Sequence, residues 1–335
     1  MGRMSRDPLA GGPLAHRLVD VGGIELCIAE QGGGSGSAPA VIMCHGFPGL
    51  WYSWRHQLPA LAAAGFRAIA PDMRGYGRSG SPADPAAYDR TSTVGDLVGL
   101  LDALGIEEAV FVGHDFGAVL TWDLPQWAAG RVRALIQLSV PRTRTPNGLP
   151  SAAFAQVAAK HFFHMHYFQQ PGPADEELGR DPARFLRAIF WALSGANRYL
   201  DVFAHPSQGR GYLDVLPEPP ALPWPWMSEA DLDHYAREFA RTGFTGGLNW
   251  YRAADHVWRE KQSRPDRPVE VPTTFITGAL DPVLAMSGPD PFGVMRESVP
   301  GLAGIHVLPD VGHFVQLEAA ARVNELMLEF LRTLP

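Results

Sequence analysis

Short apolar runs alternate with helix-length segments along much of the chain, and this alternation limits the folds that the chain can adopt. The runs lie at 41–44, 67–70, 109–112, 133–140, 272–277 and 305–308. The stretch from Thr93 to Leu104, between two of them, carries apolar residues at helical spacing. A closing helix is predicted over 319–331. Strands that alternate with helices form a mostly parallel sheet that is covered on both faces, which is an α/β fold.

The middle of the chain departs from this alternation. From about 142 to 262 there are aromatic-rich helical stretches, broken by Pro-rich loops, instead of parallel-strand runs. We interpret this part as a helical cap, or lid, inserted between two halves of one α/β core. The predicted organisation is a flexible N-terminal tail over 1–15, core over 16–141, cap over 142–262 and core again over 263–335.

Composition narrows the classes of partner. The net charge of -7 and the pI near 5.9 argue against nucleic acid or an anionic membrane as the main partner. The sequence contains no stretch of the ~20 apolar residues that a membrane-spanning helix needs. With 46% hydrophobic and 19% charged residues, the chain can bury a sizeable core. We therefore expect a cytoplasmic enzyme.

The sharpest motif is Gly113-His114-Asp115-Phe116-Gly117, between the third apolar run and a predicted helix. A nucleophile elbow needs glycine on both sides because its central residue occupies a strained turn. Serine is the usual centre, whereas a carboxylate can attack an electrophilic carbon and form an ester. The simpler interpretation is an aspartate that caps a helix N-terminus. The motif alone leaves these two interpretations equal.

A second loop can supply part of an oxyanion hole for the hydrolysis of an ester intermediate. His45-Gly46-Phe47-Pro48 follows the first apolar run, on a strand predicted to lie beside the elbow. The backbone N–H groups of Phe47 and Phe116 can form an oxyanion hole. Proline has no N–H, so Pro48 is predicted to shape the loop together with His45 and Gly46.

Two further loop residues complete a catalytic triad. Asp281 follows the 272–277 run, and His313 lies in a loop before the last helix. The order along the chain is therefore nucleophile, acid and base, as in hydrolases of the α/β class. This order favours a catalytic role for Asp115 over helix capping.

We expect no metal and no organic cofactor. The stretch from Gly75 to Gly80 matches G-x-G-x-x-G, but prolines follow it where a nucleotide site needs a helix N-terminus. Only two of His161, His164 and His166 share a helix face, and no acidic or thiol ligand completes a metal shell near them.

Taken together, these motifs resemble those of α/β-hydrolase-fold epoxide hydrolases, over about residues 16–333. The resemblance rests on the elbow, the terminal Gly-His and the segments 45–48, 51–55, 72–77, 167–172, 225–229 and 249–252. It implies an eight-stranded, mostly parallel sheet with an inserted cap. It also implies that the chain opens a small apolar epoxide to a vicinal diol through an ester on Asp115, which water activated by His313 then hydrolyses.

In that family two cap tyrosines donate hydrogen bonds to the epoxide oxygen. Tyr251 matches the second of them, but the first position holds His164, as in a bacterial member of the family. An imidazole N–H can donate to a developing alkoxide. His161, His166 and Tyr167 lie so close in sequence that a shift in register would change the donor.

Other functions stay open. A haloalkane or haloacid dehalogenase would use the same triad, but those enzymes carry a Trp or Arg directly after the nucleophile, where this chain has Phe116. Fluoroacetate dehalogenases also differ at the positions of Val119 and Met165. A binding protein built on this fold would have lost the triad, whereas this chain keeps all three members. The sequence leaves the oligomeric state open between a monomer and a homodimer.

Overall fold

The computed structural model describes residues 12–33, 38–264 and 266–335. The predicted tail falls mainly on 1–11, outside the described residues, and Ala15 is already the first residue of a strand. The strands are β1 Ala15–Asp20, β2 Glu25–Gln31, β3 Ala40–Cys44, β4 Arg67–Pro71, β5 Ala109–His114, β6 Val132–Leu138, β7 Thr273–Gly278 and β8 Leu302–Leu308.

These strands form one eight-stranded sheet in the order β1-β2-β4-β3-β5-β6-β7-β8. Pairing is parallel from β4 to β8, whereas β1 pairs with β2, and β2 with β4, in antiparallel register. The predicted α/β hydrolase fold is therefore confirmed. Central strands such as β3 are buried along their whole length, as expected for strands covered on both faces.

Helices cover both faces of the sheet and its carboxyl edge. They are α1 Gln57–Ala63, α2 Arg90–Ala103, α3 Phe116–Thr121, α4 Leu124–Trp127, α5 Pro150–Ala158, α6 His164–Tyr167, α7 Pro173–Arg180, α8 Pro182–Ala192, α9 Glu229–Thr242, α10 Thr245–Arg252, α11 Ala254–Gln262, α12 Pro282–Met286, α13 Pro291–Ser298, α14 Val315–Glu318 and α15 Ala320–Leu331. Short 3₁₀ helices span Trp51–Trp54, Pro85–Tyr88 and Tyr199–Ala204. None of the helices in the described ranges is long and apolar enough to cross a membrane.

The core has two buried layers, one on each face of the sheet. Ile42 and Phe111 belong to one layer, whereas Val41 and Val110 belong to the other. Neighbouring residues of a strand point to opposite faces, so each central strand contributes to both layers.

The segment between β6 and β7 is helical, and its described residues hold α5 to α11 and no strand. Its buried aromatic side chains pack into the layer that contains Ile42 and Phe111. This segment contains the predicted cap, whose boundaries at 142 and 262 stay a prediction. It covers the carboxyl edge of the sheet, where loops after parallel strands meet.

Candidate active site

Asp115 lies at the turn between β5 and α3. Its backbone adopts φ 54° and ψ −122°, a conformation that L residues rarely adopt. A Cβ on Gly113 would lie 2.5 Å from Ala118 Cα, and a Cβ on Gly117 would lie 2.0 Å from the Cys44 carbonyl oxygen. Both flanking positions therefore require glycine, and the turn has the geometry of a nucleophile elbow.

The loop after β3 holds one carboxylate oxygen of Asp115. The Phe47 N–H donates to Asp115 Oδ1 at 2.8 Å. His45 fixes this loop, because its Nε2 accepts from the Met73 N–H at 3.0 Å and its Nδ1 donates to the Gly46 carbonyl at 2.9 Å. The Phe47 N–H, one of the two groups expected to form the oxyanion hole, thus already hydrogen-bonds Asp115.

The second half involves Phe116 N. A Cβ on Gly46 would lie 2.1 Å from Asp115 Oδ1 and 2.5 Å from Phe116 N. Both groups therefore border the space that the hydrogen of Gly46 leaves open. Within the described ranges the Phe116 N–H makes no hydrogen bond to Asp115, so its place in the oxyanion hole stays a prediction.

His313 lies between two carboxylates. Its Nε2 is 3.5 Å from Asp115 Oδ2, and its Nδ1 is 3.1 Å from each oxygen of Asp281. The side chains of His313 and Asp281 are almost completely buried, whereas that of Asp115 keeps 19% of its surface exposed. Asp281 also caps α12, because it accepts from the Val283 N–H at 2.9 Å. The structure thus brings the three predicted triad residues together.

The charges of this group stabilise one another. Burial by itself lowers the pKa of His313, but the charges of Asp281 and Asp115 outweigh it and raise the pKa to about 10. Burial by itself raises the pKa of Asp115, but the hydrogen bond and charge of His313 hold the pKa below its usual value. At neutral pH the imidazole of His313 is therefore protonated and lies beside the ionised carboxylate of Asp115.

Three polar residues that the sequence analysis did not single out position the His313 loop. His114 Nε2 donates to the His313 carbonyl at 2.8 Å, and the Ser139 hydroxyl donates to the same oxygen at 2.6 Å. The Glu318 carboxylate accepts from the N–H groups of Gly312 and Phe314, each at 3.0 Å. The contacts of His114 and Ser139 join a strand end and a loop that are distant in sequence, whereas Glu318 binds backbone four and six residues before it.

A cavity of about 290 Å³ opens above Asp115. Its polar lining includes Asp115, His313, His164 and Tyr251, and aromatic, aliphatic and methionine side chains dominate the rest. The apolar or weakly polar residues are Phe47, Phe116, Val119, Val140, Thr143, Met165, Ile189, Leu193, Tyr199, Tyr212, Val283, Met286 and Ser287. The cavity thus accommodates a small, mainly apolar molecule next to the carboxylate.

Tyr251 lies on α10, and the residues on either side of it are anchored by polar contacts. Trp250 Nε1 donates to the Arg74 carbonyl at 2.9 Å, and Arg252 forms an ion pair with Asp175. The Tyr251 ring lies 4.6 Å from that of Phe116, edge to face. Burial and the charge of Asp115 raise the pKa of Tyr251 well above its usual value, so its hydroxyl keeps its proton. In the part of the chain that the structure describes, that hydroxyl has no hydrogen-bond partner.

His164, the first residue of α6, lines the same cavity as Tyr251, and the two ring centroids are 5.9 Å apart. Burial lowers the pKa of His164 to about 4, so its imidazole is neutral at pH 7. His161, His166 and Tyr167, the alternatives in register, do not line this cavity. His161 stacks on Phe203, and Tyr167 donates to Glu177.

Two tyrosines that the sequence analysis missed extend this site. The Tyr199 hydroxyl is 2.9 Å from His164 Nδ1, and it also hydrogen-bonds the Tyr212 hydroxyl. Both tyrosines line the cavity. Their separation from His164 along the chain leaves no pattern in the sequence by which they could have been found.

No group of three or more His, Cys, Asp or Glu side chains within 12–33, 38–264 and 266–335 could hold a metal ion. The site residues are instead arranged for covalent and acid–base chemistry by side chains.

Comparison with known proteins places this geometry in a family. Residues 39–320 match the family model described as alpha/beta hydrolase fold. The chain is 44% identical to epoxide hydrolase A of Mycobacterium tuberculosis over 321 residues, which are 96% of this chain and 98% of that protein. It is 40% identical to an epoxide hydrolase of Caballeronia sordidicola, covering 94% of this chain and 93% of that one.

Solved structures agree with these relatives. The crystal structure of epoxide hydrolase A from Mycobacterium thermoresistibile superposes with a TM-score of 0.89 at 42% identity, covering 96% of this chain and 99% of that chain. An epoxide hydrolase from an endophytic Streptomyces also superposes with a TM-score of 0.89, at 39% identity and 95% coverage of each chain. The chain therefore belongs to the epoxide hydrolases of the α/β hydrolase fold family.

Proposed function

We propose that this enzyme hydrolyses a small apolar epoxide to a vicinal diol through a covalent ester on Asp115. One observation carries the proposal. The Asp115 carboxylate has one oxygen on the Phe47 N–H and the other beside His313, at a cavity that Tyr251 and His164 also line. The nucleophile, the base and the proton donors of such a reaction thus border one space.

Ring opening begins with Asp115 Oδ2, since Oδ1 is held by the backbone. Oδ2 attacks an epoxide carbon from the side opposite its C–O bond. The hydroxyl of Tyr251 and the Nε2–H of His164 hydrogen-bond the epoxide oxygen, and Tyr251 gives its proton to the alkoxide as the C–O bond breaks. The neutral imidazole of His164 carries one N–H, which can donate to the epoxide oxygen while Tyr251 supplies the proton.

Ester formation changes the charge around His313. The negative charge of Asp115 is one cause of the raised pKa of His313, and it disappears when the carboxylate becomes an ester. The pKa of the imidazolium then falls, so it releases its proton, which restores the proton of Tyr251. His313 is left neutral between Asp281 and the ester, as a general base must be.

Hydrolysis then uses His313 as the base. His313 Nε2 removes a proton from water, and the water oxygen attacks the ester carbonyl carbon. The developing oxyanion on Oδ1 receives hydrogen bonds from the Phe47 and Phe116 N–H groups, each worth roughly 3 kcal/mol in comparable oxyanion holes. When the ester C–O bond breaks, the leaving diol oxygen takes the proton from His313. The new carboxyl group of Asp115 then gives its proton to His313, which restores both the carboxylate and the imidazolium. The net reaction is epoxide plus water to diol.

The test is His313→Gln followed by intact-protein mass spectrometry after exposure to a panel of terminal epoxides, haloalkanes and haloacids. Loss of the base blocks hydrolysis but leaves attack in place. We expect an epoxide to add its full mass to the protein, and peptide mapping to locate that mass on Asp115. Asp115→Asn in the same background is the matched control and should gain no mass.

Two outcomes would contradict the proposal. Mass gained only from a haloalkane or haloacid, with loss of the halide, would assign a dehalogenase. Absence of an adduct, together with a parent enzyme that turns over none of these compounds, would remove the ester mechanism.

A further inference from the structure

The hydrogen bonds behind His164 form a chain of three groups. His164 Nδ1 bonds the Tyr199 hydroxyl at 2.9 Å, and that hydroxyl bonds the Tyr212 hydroxyl. The three residues come from α6, from the 3₁₀ helix Tyr199–Ala204 and from the loop before α9. All three are buried, with 9%, 3% and 2% of their surfaces exposed. These three hydrogen-bonded side chains are therefore packed in the interior of the cap.

The position of one proton decides whether His164 can act as a donor. A neutral imidazole carries a single N–H, and its other nitrogen only accepts. Nδ1 is engaged with Tyr199, so Nε2 is the nitrogen left for a molecule in the cavity. His164 can donate to an epoxide oxygen only in the Nε2–H tautomer.

The number of donors and acceptors in the hydrogen-bonded series His164, Tyr199 and Tyr212 distinguishes the two tautomers of His164. In one direction the Tyr212 hydroxyl donates to Tyr199, and the Tyr199 hydroxyl donates to His164 Nδ1. Every hydroxyl proton is then used, and Nε2 bears the imidazole proton. In the reverse direction Nδ1–H donates to Tyr199 and Tyr199 donates to Tyr212, which leaves the Tyr212 O–H without an acceptor among the described residues.

A buried donor without an acceptor costs free energy, whereas an oxygen that accepts no bond costs less. The first direction is therefore the stable one. The His164 ring stacks on the Tyr212 ring with an angle of 10° between their planes, which restrains the plane of the imidazole. Within that plane, the hydrogen bond to the Tyr199 hydroxyl sets the orientation of Nδ1.

We propose that Tyr199, supported by Tyr212, is a positioning residue that holds His164 as the Nε2–H tautomer, so that His164 donates to the epoxide oxygen during ring opening. This inference rests on the proposed function. It explains how a histidine can replace a tyrosine at this position, since a tyrosine has one donor and needs no tautomer to be selected.

The first measurement is the tautomer itself, read from nitrogen-15 shifts of histidine-labelled parent enzyme, with His164→Phe used to assign the signals. We expect Nε2 of His164 to carry the proton and Nδ1 to show the shift of a hydrogen-bonded acceptor. In Tyr199→Phe the Nδ1 signal should lose that bonded shift. In Tyr212→Phe the Nε2–H tautomer should persist, because Tyr199 can still donate. A parent enzyme with the proton on Nδ1 would overturn the proposal.

The second measurement is the rate constant of ester formation in single turnovers, followed by rapid quenching and mass spectrometry. Tyr199→Phe should slow this step on the order of 10-fold, because His164 is then no longer held as a donor. In a His164→Phe background the same change should have almost no effect, since there is no imidazole left to position. An equal slowing in both backgrounds would mean that Tyr199 acts without His164.

Tyr235→Phe is the matched control, because Tyr235 is also a buried cap tyrosine, and its hydroxyl bonds Ser53 at 3.0 Å outside the cavity. It should leave the rate of ester formation unchanged. The two hypotheses fail differently: a parent enzyme that forms no ester refutes the proposed function. A parent that forms the ester while Tyr199→Phe forms it at an unchanged rate refutes only the role of Tyr199.

Discussion

The two oxygens of Asp115 have different neighbours, and this difference suits the two steps of the proposed reaction. Oδ1 accepts from a backbone N–H, while Oδ2 lies beside the imidazole of His313. A serine at the same turn has one oxygen and could not serve both positions. The strained backbone of Asp115 holds this division in place, since the surrounding packing requires the turn.

Tyr251 is a second residue whose proposed role, proton donation during ring opening, can be tested. Tyr251→Phe should slow ester formation by roughly 10²-fold, because it removes a proton donor from the breaking C–O bond. Ester hydrolysis should change little, since that step uses His313. Both rate constants can be measured by rapid quenching of single turnovers. A variant that forms the ester at the parental rate would show that the acid is a different group.

Among the elements, the loop from β3 to α1 depends on a glycine at one position. The space beside Gly46 is where Asp115 Oδ1 and Phe116 N meet, and a methyl group there would lie closer to both than atoms can approach. The alanine side chain would therefore occupy the predicted oxyanion hole.

Gly46→Ala should lower kcat by roughly 10²- to 10³-fold, the usual loss when an oxyanion contact is removed. Gly95→Ala on α2 is the matched control, because a Cβ there meets no atom within 4 Å. The control should keep full activity. If Gly46→Ala folds, as judged by circular dichroism, and keeps parental kcat, the oxyanion hole lies elsewhere.

The elements differ in how well the sequence predicts them. β3, β5 and β7 were predicted to within a residue or two, because strands buried on both faces are continuous apolar runs. The resemblance implies eight strands, but the pattern of apolar runs does not locate the antiparallel strands β1 and β2. β1 is mostly exposed, so its sequence lacks a long apolar run.

The residues of the site also differ in how well the sequence predicts them. Asp115, Asp281 and His313 follow strands and carry motifs, so the sequence places them at one edge of the sheet. By contrast, Tyr199 and Tyr212 are linked to His164, and His114 and Ser139 to the His313 carbonyl, through tertiary packing alone. No single sequence records which distant side chains a folded cap will bring together.

For the whole molecule, buried neutral histidines couple folding to pH. Burial lowers the pKa values of His45, His114 and His164 to about 4 from an ordinary 6.5. Between pH 6.5 and pH 4 these side chains take up protons in the unfolded chain but not in the folded one. Their contribution to stability is therefore lost as the pH falls, by up to about 1.4 kcal/mol per pH unit for each histidine.

Three buried carboxyl groups, Asp72, Asp96 and Glu318, act in the opposite direction, because burial raises their pKa values. Burial raises the pKa of Asp72 to about 6, so the folded state binds that proton first. For His45, His114, His164 and Asp72 together, the unfolded chain binds close to two more protons than the folded one, which lowers stability by about 3 kcal/mol per pH unit near pH 5. Urea unfolding between pH 7 and pH 5 would measure it. His164→Gln should reduce the slope by about 1.4 kcal/mol per pH unit, and an unchanged slope would mean that His164 is not neutral in the folded enzyme.

The cap and the core act as one catalytic unit, because the cap also supports the base. The N–H of His313 donates to the Leu193 carbonyl at 2.9 Å, and Glu318 bonds the Gly195 N–H at 2.8 Å. The cap therefore lines the cavity, carries the two proposed ring-opening donors and positions the loop that holds the proposed base.

The central claim is that the carboxyl group of Asp115 forms a bond to substrate carbon and is then regenerated by water. A single turnover in oxygen-18 water, with enzyme in excess over epoxide, tests it most directly. The diol should contain no heavy oxygen from that turnover, and the peptide bearing Asp115 should gain one heavy atom, because water attacks the ester carbonyl. Heavy oxygen in the first-turnover diol, with none in that peptide, would show that water attacks the epoxide itself and would contradict the account.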